Sequence, residues 1–184
     1  MLKLNLGGGP KIIPGFVNVD ALDWNGITEV VLDLTKIPYP WKDESAEEIV
    51  AQEVLEHISF KKTLKVLKEW YRILKKGGKL TIQVPDIGKM CEYYVNGQVC
   101  GCVPRKAKRI EDFKANPDCW ICGGKAKINT TRWIYAFTGA QKHSYDYHRN
   151  VFTKEILKIN LIKAGFQKIQ WKDNIYKLIA ICYK

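Results

Sequence analysis

Leu2, Leu4 and Leu6 alternate with Lys3 and Asn5 and run straight into Gly7, Gly8 and Gly9. A second short apolar stretch, 16–20, follows and ends on Asp20. Strict alternation is the mark of a strand. Glycines after it let the backbone approach a ligand where any side chain would collide. A carboxylate at the tip of the neighbouring strand can accept both hydroxyls of a ribose. Strand, glycine turn, strand, acid: the order restricts the chain to folds that bind ligands at the carboxyl ends of strands. It points to a pocket for a nucleoside-bearing cofactor.

The remaining pattern is compatible with such a fold. Strands are expected over 2–6, 16–20, 28–34, 48–52 and 79–84. Pro38 and Pro40 exclude a helix over 37–41. Ser59 is a candidate N-cap. After it, Phe60, Leu64, Leu67, Tyr71 and Leu74 recur at helical spacing, and Gly77 with Gly78 is expected to end that helix. From 87 to 150 the pattern is irregular and reads as an insertion or lid, with helical pieces near 90–95 and 132–137. Thr153 opens a last helix whose buried face is Ile156 or Leu157, then Leu161 and Ala164, with Gly165 at its end. Stretches 166–171 and 176–183, joined at Asp173 and Asn174, read as an antiparallel hairpin. Strands alternating with helices imply an α/β fold with a mostly parallel sheet, closed by the hairpin. Gly7 to Gly9, Asp20, Asp33, Gln52, Glu53, Pro85 and Asp86 then lie along one rim.

At 184 residues the chain is expected to be a single domain, 1–184, with the insertion after the fifth strand. Hydrophobic residues make up 46% and charged residues 27%, a globular balance. No apolar run reaches membrane-spanning length, and the N-terminus enters a strand directly, so the expected location is the cytoplasm. The net charge of +11 suits a polyanionic partner or a lysine-decorated solvent face. The densest basic stretch is 105–132. Without a secretory signal, six cysteines favour metal or buried thiols over disulfides. Cys119 and Cys122 have the spacing of a zinc knuckle, and Cys100 with Cys102 supplies a tighter second pair. Four thiolates would close a tetrahedral structural zinc site. Cys182 sits on the last expected strand and reads as core, and Cys91 as a spare ligand.

The segments LNLGGG (4–9), GFVNVD (15–20), VLDL (31–34), VLEHI (54–58), LKKGGKL (74–80) and VPD (84–86) occur in this order. Distally, FT (152–153) and KAGF (163–166) follow, and GAQ (139–141) and DYH (146–148) fall in the insertion. In these the chain resembles class I S-adenosylmethionine-dependent methyltransferases, and more narrowly small proteins related to the type 11 family. The resemblance covers 1–86 and about 146–184. It implies a Rossmann-like sheet of seven strands, the last antiparallel, and S-adenosylmethionine as cofactor. It implies cofactor contacts at Asn5, Gly7, Gly8, Gly9, Asp20, Ala21, Asp33, Leu34, Gln52 and Glu53. Two departures stand out. Asn5 replaces the usual acid ahead of the glycines, and Pro10 with Pro14 leaves little room for the usual first helix.

Methyl transfer needs an aligned acceptor and, for a hydroxyl, a proton acceptor. His148, near Asp146, is the first candidate, with His143 and Tyr147 as others. Glu56 and His57 read as structural. A small-molecule or glycan hydroxyl is the first expectation for the acceptor. A nucleic acid, bound by the basic insertion with Trp120, Trp133 and Tyr135 for stacking, is the second. A third reading is a non-catalytic binding module on a degenerate methyltransferase fold. A nicotinamide dehydrogenase fits less well, because its glycine turn must open a helix.

Overall fold

Along the neighbouring strand segments 78–85 and 177–183, burial alternates strictly. Leu80, Ile82 and Val84 are buried, as are Leu178, Ala180 and Cys182, while the residues between them are partly exposed. A period of two places these side chains on one face of a pleated sheet. The computed structural model describes residues 1–95, 117, 134–135, 137–172, 174 and 176–184. Its elements are β1 (Leu2–Leu6), β2 (Val17–Asp20), β3 (Val30–Val31), β4 (Ala46–Gln52), a 3-10 turn (Leu55–His57), α1 (Phe60–Ile73), β5 (Leu74–Pro85), α2 (Ile87–Val95), α3 (Lys154–Ala164), β6 (Gln167–Lys172) and β7 (Lys177–Tyr183).

The seven strands form one sheet in the order β3-β2-β1-β4-β5-β7-β6. The pairs from β3 through β5 are parallel, and β7 is antiparallel to both β5 and β6. This is the mostly parallel sheet with a closing hairpin that the sequence implies. Leu4, Leu6, Ile49, Ala51, Leu80 and Ile82 join Leu67, Trp70 and Ile73 of α1 and Leu157 and Leu161 of α3 in a single core cluster. The Tyr71 ring meets Phe166 edge-on, with centroids 5.3 Å apart. Among the described residues, no helix is long and apolar enough to cross a membrane.

Several local expectations are corrected. The third strand is only Val30–Val31, because side chains turn the backbone on either side of it. Thr28 Oγ1 donates to the Leu22 carbonyl, and Asp33 Oδ1 accepts from the Thr35 N–H. The buried face of α1 is Thr63, Val66, Leu67, Glu69, Trp70 and Ile73, and Phe60 is 67% exposed. The face is turned because the largest side chain, Trp70, occupies the core. Ser59 contributes its carbonyl to Lys62 and Thr63 but makes no side-chain cap. Gly77 and Gly78 do not end α1. Leu74 is already extended and buried, and the glycines fall inside β5, where they exchange backbone hydrogen bonds with Lys184. Thr153 does cap α3 by accepting from the Ile156 N–H, Leu157 rather than Ile156 is buried, and Gly165 closes the helix at φ 109°. Ile134, Tyr135, Phe137 and Thr138 are helical.

The loop 37–41 has no regular structure, so α1 holds it. Glu69, with a side chain 7% exposed, accepts from the Tyr39 N–H at 2.6 Å and from two nitrogens of Arg72 at 2.6 and 2.9 Å. Arg72 also reaches Asp43 at 2.6 Å. The guanidinium holds the Glu69 carboxyl below its usual range. A carboxyl with a depressed folded-state pKa stabilises above its unfolded pKa and loses that contribution as pH falls through the folded value. Glu69→Gln is therefore expected to cost about 2 kcal/mol near neutral pH. Urea denaturation should show this gap shrinking towards zero as pH falls below the usual carboxylate range. A gap independent of pH would mean that packing, not charge, is lost.

Candidate active site

Three glycines leave β1, and the structure uses each differently. The Gly7 and Gly8 N–H groups both donate to the Val19 carbonyl, at 2.8 and 3.2 Å. Gly7 has φ 64°, and a Cβ there would collide with Val54. A Cβ on Gly8 would strike the side-chain amides of Asn18 and Asn5. A Cβ on Gly9 would meet nothing closer than Trp24, at 4.0 Å. Only Gly9 borders free space on its side-chain side, and that space belongs to a cleft.

The turn is braced from below. Asn5 Nδ2 donates to Asn18 Oδ1 at 2.8 Å and to the Lys11 carbonyl at 3.0 Å, and Asn18 Nδ2 donates to the Gly9 carbonyl at 3.0 Å. Both asparagines are buried. There is no helix between β1 and β2. Above the brace, Asp20 Oδ2 accepts from the Gly9 N–H at 2.9 Å and Oδ1 from the Leu22 N–H at 3.0 Å. Each carboxylate oxygen keeps acceptor capacity for a ligand hydroxyl.

The cleft, about 350 Å³, runs along the strand ends. Its first wall is Gly7, Gly9, Asp20, Ala21 and Trp24, its floor Asp33, Leu34 and Thr35, and its far end Glu53, Val54, His57 and Ile58. Its roof is Ala140, Lys142, His143, Tyr145 and Asp146. That roof is a closed loop. The His148 N–H donates to the Thr138 carbonyl at 3.1 Å, and a Cβ on Gly139 would collide with the Asp146 carbonyl. The loop is fastened to the turn after β4, where the Glu56 carbonyl accepts from the Arg149 and Asn150 N–H groups at 2.8 and 3.1 Å.

Two buried nitrogens of cleft-lining residues lack hydrogen-bond partners among the described residues: Trp24 Nε1 and His143 Nδ1. Their rings stand nearly perpendicular, 6.2 Å apart. A buried polar group left unpaired costs about 1–3 kcal/mol. A ligand with polar edges would remove that cost. Fixed carboxylates for a ribose, the unpaired Trp24 N–H and an apolar floor at Leu34 together suit a nucleoside.

Of the residues expected at the site, Gly7, Gly9, Asp20, Ala21, Asp33, Leu34, Glu53, His143 and Asp146 line the cleft. Asn5 and Gly8 lie beneath it in the brace, and Gln52 accepts from Lys11 Nζ at an exposed position. His148 stands in an adjoining cavity beside Glu56 and His57. Cys100, Cys102, Cys119, Cys122, Trp120, Trp133 and the stretch 105–132 fall outside the described residues, apart from Pro117. Cys91 is exposed, and burial pushes the Cys182 thiol up to about 12. The reading of the sequence missed Trp24, Thr35, Lys142 and Tyr145 as lining residues, and Glu56 and His57, which read as structural, border the adjoining cavity. Burial first, then the Glu53 charge, drives the Glu56 carboxyl well above its usual range. Burial first, then His148, lowers His57 to about 4.

Residues 16–82 match the family described as a methyltransferase domain. No curated protein matches the chain by sequence. Among solved structures, the chain is similar to an S-adenosylmethionine-dependent methyltransferase of Thermotoga maritima, described as a possible histamine N-methyltransferase. The identity is 17% and the TM-score 0.58, over 100% of this chain and 82% of that one. It is also similar to such a methyltransferase from Archaeoglobus fulgidus, with 12% identity and a TM-score of 0.58 over 99% and 85% of the two chains. A third, from Mesorhizobium loti, has 11% identity and a TM-score of 0.57 over 100% and 90%. At these identities the likeness establishes the fold.

The brace makes a prediction of its own. Gly8→Ala forces the Asn5 and Asn18 amides apart and is expected to cost about 2 kcal/mol or more. Gly15→Ala, where a Cβ meets nothing within 4 Å, bears only the left-handed backbone penalty of about 1 kcal/mol. Chemical denaturation of both variants checks this, and equal costs would show that the amide pair is not the constraint.

Proposed function

We propose that this chain is a class I S-adenosylmethionine-dependent methyltransferase that methylates a hydroxyl of a small-molecule or glycan acceptor, a reading supported by the domain matched over residues 16–82 and by the fold. The observation that carries this reading is the single cleft. It joins Asp20 and Asp33, fit for a nucleoside, to His143 and Asp146, fit for moving a proton. Bound S-adenosylmethionine supplies a methyl group on a sulfonium, which is already electrophilic.

In this reading the residues divide the work by position. Asp20 accepts from the ribose hydroxyls, its carboxylate held by the Gly9 and Leu22 N–H groups. Asp33 and Leu34 flank the adenine, and Trp24 Nε1 offers its unpaired donor to a polar edge of the ligand. Glu53 and Val54 border the methionine end. His143 takes the acceptor proton as the new C–O bond forms and the C–S bond breaks, and imidazole is suited to that task near neutral pH. Its place in the cleft favours it over His148. The glycan assignment rests on analogy with similar proteins. A structural zinc on Cys100, Cys102, Cys119 and Cys122 belongs to the same proposal, supported by their spacing.

One observation favours a second acceptor class: the net charge of +11, which suits a nucleic acid. The non-catalytic reading drew on Asn5 and the shortened loop. Asn5 has a full structural role in the brace, and Asp20 keeps its fixed orientation without the missing helix, so those features do not argue against cofactor binding.

Calorimetric titration with S-adenosylhomocysteine tests the cofactor half. Micromolar binding is expected, weakened about tenfold or more in Asp20→Ala. Absence of binding by folded protein would sink the reading. On the acceptor found by a screen for S-adenosylhomocysteine release, His143→Ala is expected to lower kcat about a hundredfold or more. Its affinity for S-adenosylhomocysteine should stay near that of the parent. Unchanged turnover would remove His143 from proton transfer.

A further inference from the structure

We propose that Glu56, His57 and His148 form a divalent-cation site in the cavity adjoining the cofactor cleft. One ligand-capable atom from each of the three lies within 4.8 Å of the others. Nitrogen and oxygen ligands bind such ions at about 2.0–2.2 Å, so atoms sharing one ion lie within about 4.4 Å of each other. Small side-chain adjustments close the remaining gap.

The backbone already holds the three together. Glu56 and His57 are consecutive on the turn after β4, and the Glu56 carbonyl fastens the segment just after His148 through Arg149 and Asn150. The His57 and His148 rings pack edge to face, 4.8 Å apart. His57 Nδ1 lies 3.2 Å from the Tyr147 carbonyl. An N–H donated there leaves the Nε2 lone pair free, and a metal-binding histidine is commonly oriented in this way.

Glu56 supplies the second, independent observation. It is 1% exposed, and neither carboxyl oxygen has a hydrogen-bond partner among the described residues. Its neighbour Glu53 differs, accepting from Gln83 Nε2 at 3.1 Å and pairing with Lys177 at 3.3 Å. A buried carboxyl without partners is costly, and burial of a charge is tolerated when it meets a counter-charge or a metal. Lys177 also borders the cavity, but its nearest acid is Glu53. Glu56 therefore stands as an acceptor with no hydrogen-bond partner among the described residues.

Two imidazoles and one carboxylate suit manganese, iron, cobalt or zinc better than calcium. Such a set leaves coordination positions open, and here they face a cavity of about 340 Å³. That cavity shares Glu53, His57, Ala140 and Asp146 with the cofactor cleft. If the methyl-transfer reading holds, the open positions take an oxygen of the acceptor. The cation would then orient a hydroxyl and increase its acidity. Cation binding itself does not depend on that reading.

The test is titration of chelator-treated full-length protein with Mn²⁺, followed by the electron paramagnetic resonance signal of the free ion. Mn²⁺ is chosen because thiolates hold it poorly, which keeps the cysteines out of the readout. A single bound Mn²⁺ is expected, with affinity reduced about tenfold or more in both Glu56→Gln and His148→Gln. Circular dichroism checks the fold of both variants. S-adenosylhomocysteine titration of each, run in parallel, separates failure of the metal site from failure of the cofactor reading. No Mn²⁺ binding by folded parent protein, or equal binding by the parent and whichever variants fold, would overturn the proposal. His148→Gln, on a surface loop, keeps the test decisive if Glu56→Gln does not fold.

Discussion

The hydrogen bond between Asn5 and Asn18 is the constraint on which the rest of the site depends. The two residues are register partners on adjacent parallel strands. Between them they tie down the carbonyls of Gly9 and Lys11. In a doubly wound sheet, the turn after the first strand usually leads into a helix, which fixes the turn in place. Here the turn returns directly to β2, and a buried pair of amides fixes it instead. The substitution of an amide for an acid at position 5 thus gains a physical reason. An amide can donate, and Lys11 and Asn18 offer acceptors.

Losing that helix also changes the electrostatics. A helix N-terminus carries partial positive charge and favours a phosphate. Without it, the strand ends present Asp20, Asp33 and Glu53 to the cleft. Carboxylates and backbone turns suit a cationic, hydroxyl-bearing ligand better than a pyrophosphate. The absence of that helix therefore favours the proposed sulfonium nucleoside over a dinucleotide.

The fold was legible because its signals are local. Alternation at Leu2, Leu4 and Leu6, the Thr153 cap and the Gly165 stop act within a few residues of sequence, and the structure has each of them. The turn of α1 about its axis was not legible, because Trp70 and Tyr71 are adjacent aromatic side chains and only tertiary packing decides which enters the core. The nucleoside side of the cleft was legible for the same local reason: strand ends carry it. Of the roof, only His143 and Asp146 were. Lys142 and Tyr145 also reach the cleft, because the Glu56 carbonyl captures Arg149 and Asn150, far away in sequence. Nor does the sequence pattern reveal that Glu56 is buried without a hydrogen-bond partner among the described residues. A glutamate beside a histidine before a helix looks like a surface turn until the loop 138–148 closes over it.

That closure is what makes two cavities out of one rim. Glu53, His57, Ala140 and Asp146 border both, so the two cavities share a wall. A wall of this kind couples the two by position alone. A side chain that shifts to receive one ligand changes the boundary seen by the other. Glu53 is the least free to shift, held by Gln83 and Lys177 from the neighbouring strands β5 and β7. His57 is held at one nitrogen only, by a carbonyl of the same loop that forms the roof. Coupling between the two cavities should therefore pass through His57 and the loop rather than through the sheet. On the proposed methyl-transfer reading, the rigid part of the site faces the nucleoside and the adjustable part admits the acceptor.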